Sequence, residues 1–255
     1  MIGCRRIHLP TVDSTNSYAW QQAVQGAEHG LVVVADQQTG GRGRRGRWWI
    51  SPPDTNLAFS LVLRPPLPAD KVPLLSLVAA GGVLSSLQDD VADLWLKWPN
   101  DIYCGRQKMA GILAEASIRG SAVDFVVVGI GLNVNCERND FPEPLQPTVT
   151  SMRQAAGRQF SLVSVLENLL RQVDVWYGRY VHGGFSGQLH HYLASHCYLT
   201  GKRVAVDVGG AIIEGTAEGI DAQGCLLVTD DHGCCRQVAA GEATIVAMDH
   251  MKKGE

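Results

Sequence analysis

Short, almost wholly apolar runs separated by stretches of helical spacing constrain this chain more than any other feature. LVVVAD (31–36) and NLAFSLVLRP (56–65) are strand-length and too apolar for one wetted face, so each reads as a buried strand. Ahead of them, Asp13 and Ser14 are N-cap residues for a helix carrying Tyr18, Ala19, Ala23 and Val24, and that pattern stops near Gly26 and Gly30. Leu74–Leu87 fits a core helix leading into LWLKWPND, a strand and turn. Lys108–Ile118 and Phe125–Val134 read as a strand pair across Arg119-Gly120. Leu162, Val165, Leu166, Leu169, Leu170 and Val173 predict a helix over 161–180. From about Cys197 the texture changes: Val204, Val206 and Val208 alternate, and Gly209-Gly210, Asp221–Gly224 and Asp231–Gly233 punctuate short runs. This predicts a compact β-barrel of roughly 50 residues. The chain therefore divides into an α/β or α+β body, residues 1–196, and a small all-β unit, residues 197–255.

A chain of 255 residues can hold a core without disulfides or metal, since at this size folding removes roughly three quarters of the surface from water. Lys and Arg number 22 against 25 Asp and Glu, which argues against a protein built to coat nucleic acid. No segment approaches the ~18 uninterrupted apolar residues of a membrane span. MIGCRRIHLP has basic residues with no apolar stretch behind them, so no secretory signal is expected. Seven cysteines without a CxxC motif or a paired framework predict a reducing compartment, the cytoplasm.

Four segments carry residue types suited to chemistry. GRGRRGR (41–47) follows a strand and holds four arginines and three glycines. Glycines let backbone approach a ligand, and arginines offer planar forks for phosphate or carboxylate oxygens. Like-charge repulsion should keep this loop mobile until an anion arrives. A solvated basic loop or an RNA-contacting Arg/Gly segment would share the composition, but the flanking strands and Trp48-Trp49 favour docking on a scaffold. KWPND (97–101) puts a charge, an aromatic ring and two polar side chains at a junction, although Asn-Asp after Pro is also ordinary turn chemistry. Lys108 leads the apolar run KMAGILAE (108–115): it is either an exposed strand end or an inward cation able to neutralise a carboxylate and a developing phosphorane. VVGIGLNVN (127–135) is a buried strand whose GxG lacks a Rossmann turn, with Asn133 and Asn135 sharing one face.

In this order, these motifs resemble one family, the biotin–protein ligases. The matching pieces are DSTN (13–16), QTGGRGRRGRWW (38–49), KWPNDIY (97–103), KMAGILAE (108–115) and GIGLNVN (129–135); GIDAQGCLLV and GEATIV resemble the family's SH3-like tail more loosely. The resemblance implies an α+β fold: a mixed sheet flanked by helices, like a class II aminoacyl-tRNA synthetase catalytic domain, with a small SH3-like barrel behind it. It also implies the reaction. Biotin and MgATP give biotinyl-5'-AMP and pyrophosphate, and biotin then passes to a lysine of a biotin carboxyl carrier protein. Arg44, Lys108 and Asp101 take catalytic positions in the match. Biotin contacts fall to Ser14, Thr15, Asn16, Gln38 and Gly111, joined by Arg42, Gly43, Arg44 and Lys108. ATP or adenylate contacts fall to Arg42, Arg44, Arg45, Trp49 and Lys108, with Asn100, Gly129, Gly131 and Asn133. Asn100 and Asp101 orient either Mg²⁺ or the incoming lysine, and no metal ligand is fixed beyond the Mg²⁺ that accompanies ATP.

With the first motif beginning at Asp13, specific DNA binding through a winged helix ahead of it is not expected. No membrane partner is expected either, and a homodimer is left open. Two other readings compete. A lipoate or octanoate ligase of related fold would want an apolar tunnel and an RRxSGGGxxxHD-type signature, which is missing. A nucleic-acid-binding module using the Arg/Gly loop is opposed by the net charge of -3 and by the lack of clustered stacking aromatics in the tail.

Overall fold

The computed structural model describes residues 1–120, 122–185 and 187–246, so the last nine residues of the expected tail unit lie outside the described part. Seven strands form one mixed sheet. They are β1 (Arg5–Val12), β2 (Leu31–Gln38), β3 (Asn56–Leu63), β4 (Leu94–Lys97), β5 (Asp101–Cys104), β6 (Gln107–Arg119) and β7 (Ala122–Asn133), in the order β1-β2-β3-β7-β6-β5-β4. β1 and β2 run parallel, and the remaining neighbours are antiparallel. β3 is buried along its whole length, which explains its unbroken apolar run: a strand covered on both faces has no wet side to alternate toward.

Helix α1 (Thr15–Val24) lies on one face, where Ala19 and Ala23 pack with Val33, Val62, Phe125 and Val127. Ser14 caps it by accepting from the Ser17 N–H, as its place before the helix predicts. Helices α2 (Leu74–Leu87), α4 (Leu162–Gly183) and α5 (Gln188–Ser195) pack on the main core, and α3 (Met152–Ala156) is a single turn. α2 is buried almost all round, and its bounds coincide with the predicted core helix. It approaches α4 closely because Gly81 and Gly82 face Trp176 and Val173; a Cβ on Gly81 would stand 2.3 Å from the Trp176 ring.

The stretch Ala69–Leu87 is apolar and long enough to cross a membrane by length alone, and 72% of it is buried inside the protein. Burial of Leu75, Leu77, Leu84 and Leu87 in the core accounts for that composition, at about 1.5–3 kcal/mol for each side chain.

The C-terminal strands β8 (Arg203–Val208), β9 (Ala211–Ile220), β10 (Leu226–Thr229), β11 (Cys235–Val238) and β12 (Glu242–Ile245) form a separate antiparallel sheet, ordered β11-β10-β9-β8-β12. Val204, Val206, Ala217, Leu226, Val228 and Ala243 fill its inner side. This sheet is joined to the body at the KWPND turn, where the buried Trp98 donates its indole N–H to the Gly224 carbonyl at 3.0 Å.

Candidate active site

Strand pairing alone lays out the floor of a cleft. Directly opposed residues on neighbouring strands point to the same face, and one such row runs Ala58 (β3), Gly131 (β7), Gly111 (β6), Asp101 (β5), Lys97 (β4). A second row, two residues along, runs Ser60, Gly129, Leu113. The glycines leave a trough where side chains would stand. Asn16 lies over Gly129 and Trp49 over Gly131, so closely that a Cβ would come within 2.0 Å of Asn16 Oδ1 and 2.3 Å of the Trp49 ring. The cavity above holds about 910 Å³, its open mouth included.

At one end of the trough the polar groups are held by one another. Gln38 Oε1 accepts from the Thr15 N–H at 2.8 Å and from its hydroxyl at 3.1 Å. Ser60 Oγ lies 2.8 Å from Thr15 Oγ1 and 2.6 Å from Asn16 Oδ1, and Asn16 Nδ2 donates to Glu115 at 2.8 Å. Arg42 pairs with the same carboxylate at 3.1 Å. The neutral groups of Thr15, Asn16, Gln38 and Ser60 form a bracket with the Arg42–Glu115 ion pair at its rim, suited to a neutral ring bearing both donors and acceptors.

The other end is cationic. Lys108 turns inward: its Nζ stands 2.8 Å from Asp101 Oδ1 and 5.7 Å from the centre of the Trp49 ring. The ammonium is off the line of a directed hydrogen bond, so Asp101 Oδ1 is buried with a counter-charge but no donated proton. The Lys108 backbone is braced from outside its own strand pair, donating to Thr148 O at 2.8 Å and accepting from Thr150 N at 3.0 Å. Arg44 donates to Asn100 Oδ1 at 3.1 Å, and Asn100 in turn donates to the Ile112 carbonyl at 2.7 Å. Burial draws the Arg44 guanidinium below its usual pKa, with Asp101 opposing. Burial likewise lowers Lys97, against the pull of Asp101, and pushes the Tyr103 hydroxyl beside it up to about 12.

Among the expected residues, the structure brings Ser14, Thr15, Asn16, Gln38, Arg42, Gly43, Arg44, Trp49, Asn100, Asp101, Lys108, Gly111, Gly129 and Gly131 to this one cleft. It does not bring Arg45 or Asn133 there. Arg45, at φ 55°, points to the C-terminal sheet and pairs with Asp207 and, at 3.7 Å, with Glu242. Asn133 is buried behind the cleft, accepting from Asn56 at 3.3 Å and donating to the Thr150 carbonyl at 2.9 Å. It braces the β3–β7 pair and the 148–150 segment instead of facing a ligand. Asn135 is also a brace, exchanging hydrogen bonds with the Phe160 backbone.

The four arginines of the loop have partners in the structure. Arg42, Arg45 and Arg47 each find a carboxylate, Glu242 serving Arg47, and Arg44 finds Asn100. These partners offset the repulsion among the four charges. The two tryptophans divide, Trp49 docked on the glycine floor and Trp48 75% exposed.

Lys97, Arg47, Ser60, Glu115, Glu242 and Ala243 belong to the site or its support but were not among the expected residues. For Lys97 and Arg47 the signal was present in the motifs. For Ser60 and Glu242 only long-range strand and sheet packing reveals it.

No trio of His, Cys, Asp or Glu side chains able to hold a resident metal occurs among the described residues. A Mg²⁺ arriving on phosphates needs only one or two protein carboxylates, and Asp101 is a carboxylate lining the cleft that would meet that demand.

Residues 9–133 match the model of the Biotin/lipoate A/B protein ligase family, and residues 199–245 match that of the Biotin protein ligase C terminal domain. The chain is 35% identical over 234 residues to the bifunctional ligase/repressor BirA of Bacillus subtilis, covering 91% of this chain and 72% of that protein. It is 35% identical over 234 residues to the biotin–[acetyl-CoA-carboxylase] ligase of Paracoccus denitrificans, covering 90% of this chain and 95% of the relative. Among solved structures, biotin protein ligase from Aquifex aeolicus in complex with biotin and ATP superposes with a TM-score of 0.82 at 28% identity, over 95% of this chain and 99% of that one.

Proposed function

Because this chain belongs to the biotin/lipoate A/B protein ligase family, we propose that it is a biotin–[acetyl-CoA-carboxylase] ligase, joining biotin through biotinyl-5'-AMP to a carboxylase carrier lysine. The observation that carries biotin over a lipoyl chain is the neutral bracket of Thr15, Asn16, Gln38 and Ser60 at the closed end of the trough. A ureido ring can exchange hydrogen bonds with such groups. An alkyl chain would bury them without a partner, at about 1–3 kcal/mol each.

The chemistry follows from the two ends. The biotin ring docks at the bracket, and its carboxylate lies along the glycine floor toward Lys108. The ATP α-phosphate must sit within reach of that carboxylate, over Gly111, where Lys108 stands and with Arg44 lining the same cleft. Attack builds charge on the phosphoryl oxygens, and fixed cations in a partly buried site stabilise it without having to reorganise. Asp101 holds Lys108 in place through Oδ1, and its carboxylate would be the one available to a Mg²⁺ carried by ATP, which would neutralise phosphate charge there. In the second step the same carboxylate stands beside the adenylate, where an incoming ammonium must lose its proton before it can attack.

The seven unpaired cysteines support a reducing, cytoplasmic setting for this reaction. The test of the function is exchange of labelled pyrophosphate into ATP. Exchange should require biotin and should not respond to octanoate or lipoate; comparable exchange with octanoate would replace this reading by the lipoyl one.

A further inference from the structure

The same row of the sheet that ends in Asp101 continues one strand further, to Lys97 on the edge strand β4. Directly opposed to Asp101, Lys97 faces the cleft and lines it. Its Nζ lies 3.4 Å from the Tyr103 hydroxyl and 5.4 Å from the centre of that ring. Among the described residues, no carboxylate stands within ion-pair distance of it, whereas Lys108 has Asp101 and Arg47 has Glu242. Half-burying a cation without a counter-ion is costly. Such a group signals a ligand that brings the missing charge.

In-line displacement fixes which part of the ligand that is. The attacking and leaving oxygens lie on opposite sides of the α-phosphorus. On the function proposed above, the nucleophile reaches the phosphorus from the bracket of Thr15, Asn16 and Gln38. The leaving oxygen therefore faces the opposite way, across β5 toward β4. We infer that Lys97 binds the β- and γ-phosphates of ATP and holds them as pyrophosphate departs. A biotin carboxylate oxygen bonds to the α-phosphorus, the bond from that phosphorus to the bridging oxygen breaks, and its electron pair leaves with pyrophosphate. The Lys97 ammonium meets the charge that develops there, and no proton changes hands.

Two variants separate this role from packing: Lys97→Met keeps the apolar stem, and Lys97→Arg keeps the charge. In biotin-dependent exchange, Lys97→Met should raise the KM for pyrophosphate about tenfold or more, the scale of one charge-assisted hydrogen bond, and Lys97→Arg should recover most of that loss. Biotin affinity, and transfer from chemically prepared biotinyl-AMP to an acceptor lysine, should not change. An unchanged pyrophosphate KM would overturn the inference. So would slowed transfer with unaltered pyrophosphate KM, which would assign Lys97 to the acceptor lysine instead.

Calorimetric titration of inorganic pyrophosphate into the unaltered and Lys97→Met proteins reads the same contact without turnover, and equal affinities would also overturn it. Lack of biotin-dependent exchange in the unaltered protein would count against the ligase reading, while the titration would still decide the role of Lys97.

Discussion

The two faces of the seven-stranded sheet share their strands and present opposite surfaces. On one, Leu57, Leu132, Ala110, Ile102 and Leu96 form an unbroken buried row. On the other, one residue along, the row reads Ala58, Gly131, Gly111, Asp101, Lys97. Strand alternation thus fills space where helices must pack and empties it where a ligand must lie. Glycine marks close approach in both the helical layer and the cleft: a Cβ on Gly81 would meet the Trp176 ring, and one on Gly131 would meet the Trp49 ring, each at 2.3 Å. What differs is the consequence of disturbing each contact. In the core it is stability; in the cleft it is turnover.

The largest effect should come from the cleft face. Lys108→Ala deletes a cation where negative charge grows, and removal of one such preorganised group costs on the order of 10²–10³ in rate. Pyrophosphate exchange should fall by that much while the thermal midpoint moves little. Normal exchange with lowered stability would make Lys108 part of the scaffold and erase the distinction between the faces.

The paired substitutions Gly131→Ala and Gly81→Ala test the comparison head on. Gly131→Ala must push Trp49 off the floor, and we expect adenylation to drop about tenfold or more, since small misplacements of ligand-positioning groups are costly to rate. Gly81→Ala overpacks the helix contact, and denaturant unfolding should show a loss of about 1–3 kcal/mol with normal activity in the folded fraction. If both variants lost only stability, the glycine floor would have no special tie to the ligand.

Arg44→Gly removes one charge-assisted contact to the phosphate and adds backbone freedom to the loop. Release of preformed biotinyl-AMP should speed up by about an order of magnitude, seen as labelling of a bystander protein's lysines. Equal release rates from variant and unaltered protein would remove Arg44 from the set of residues that retain the adenylate.

The smallest effect belongs to the helix side again. Arg6 on β1 pairs with Glu167 on α4 at a largely exposed position. Arg6→Ala should lower stability by less than about 1 kcal/mol and leave exchange unaltered. A larger change in either measurement would show that β1 carries more of the fold than its edge position suggests.

Much of this is legible in local sequence patterning. The core helix, the 107–133 hairpin and the long α4 all follow periodicities carried by their own residues. β1 escaped because RRIHLPTV mixes charges with a proline, a pattern tolerable at a sheet edge and poor as a strand signal. α5 is short, with two adjacent histidines. Asp101 was read within a turn after Pro99, yet it opens β5, because pairing with Gly111 fixes its conformation. For the site, the motifs supplied most of the lining. Asn133 shows the limit: its motif placed it with the ligand contacts, whereas its side chain satisfies backbone and Asn56 behind the floor. Partners far apart in sequence decide such cases, and spacing along one strand does not contain them.

The bracing of Lys108 by Thr148 and Thr150 bears on how such a chain can drift in length. The stretch between Glu137 and Gln146, exposed apart from the buried Phe141, makes mostly local contacts, so residues gained or lost among its exposed positions need not reach the cleft. One residue inserted between Pro147 and Ser151 would slip the brace by a position and offer Lys108 a neighbour of the wrong parity. The reactive cation would then be re-aimed by a change in a segment that does not line the cleft. Descendants of this sequence are thus free to lengthen that connection at its middle and held to a fixed count at its end.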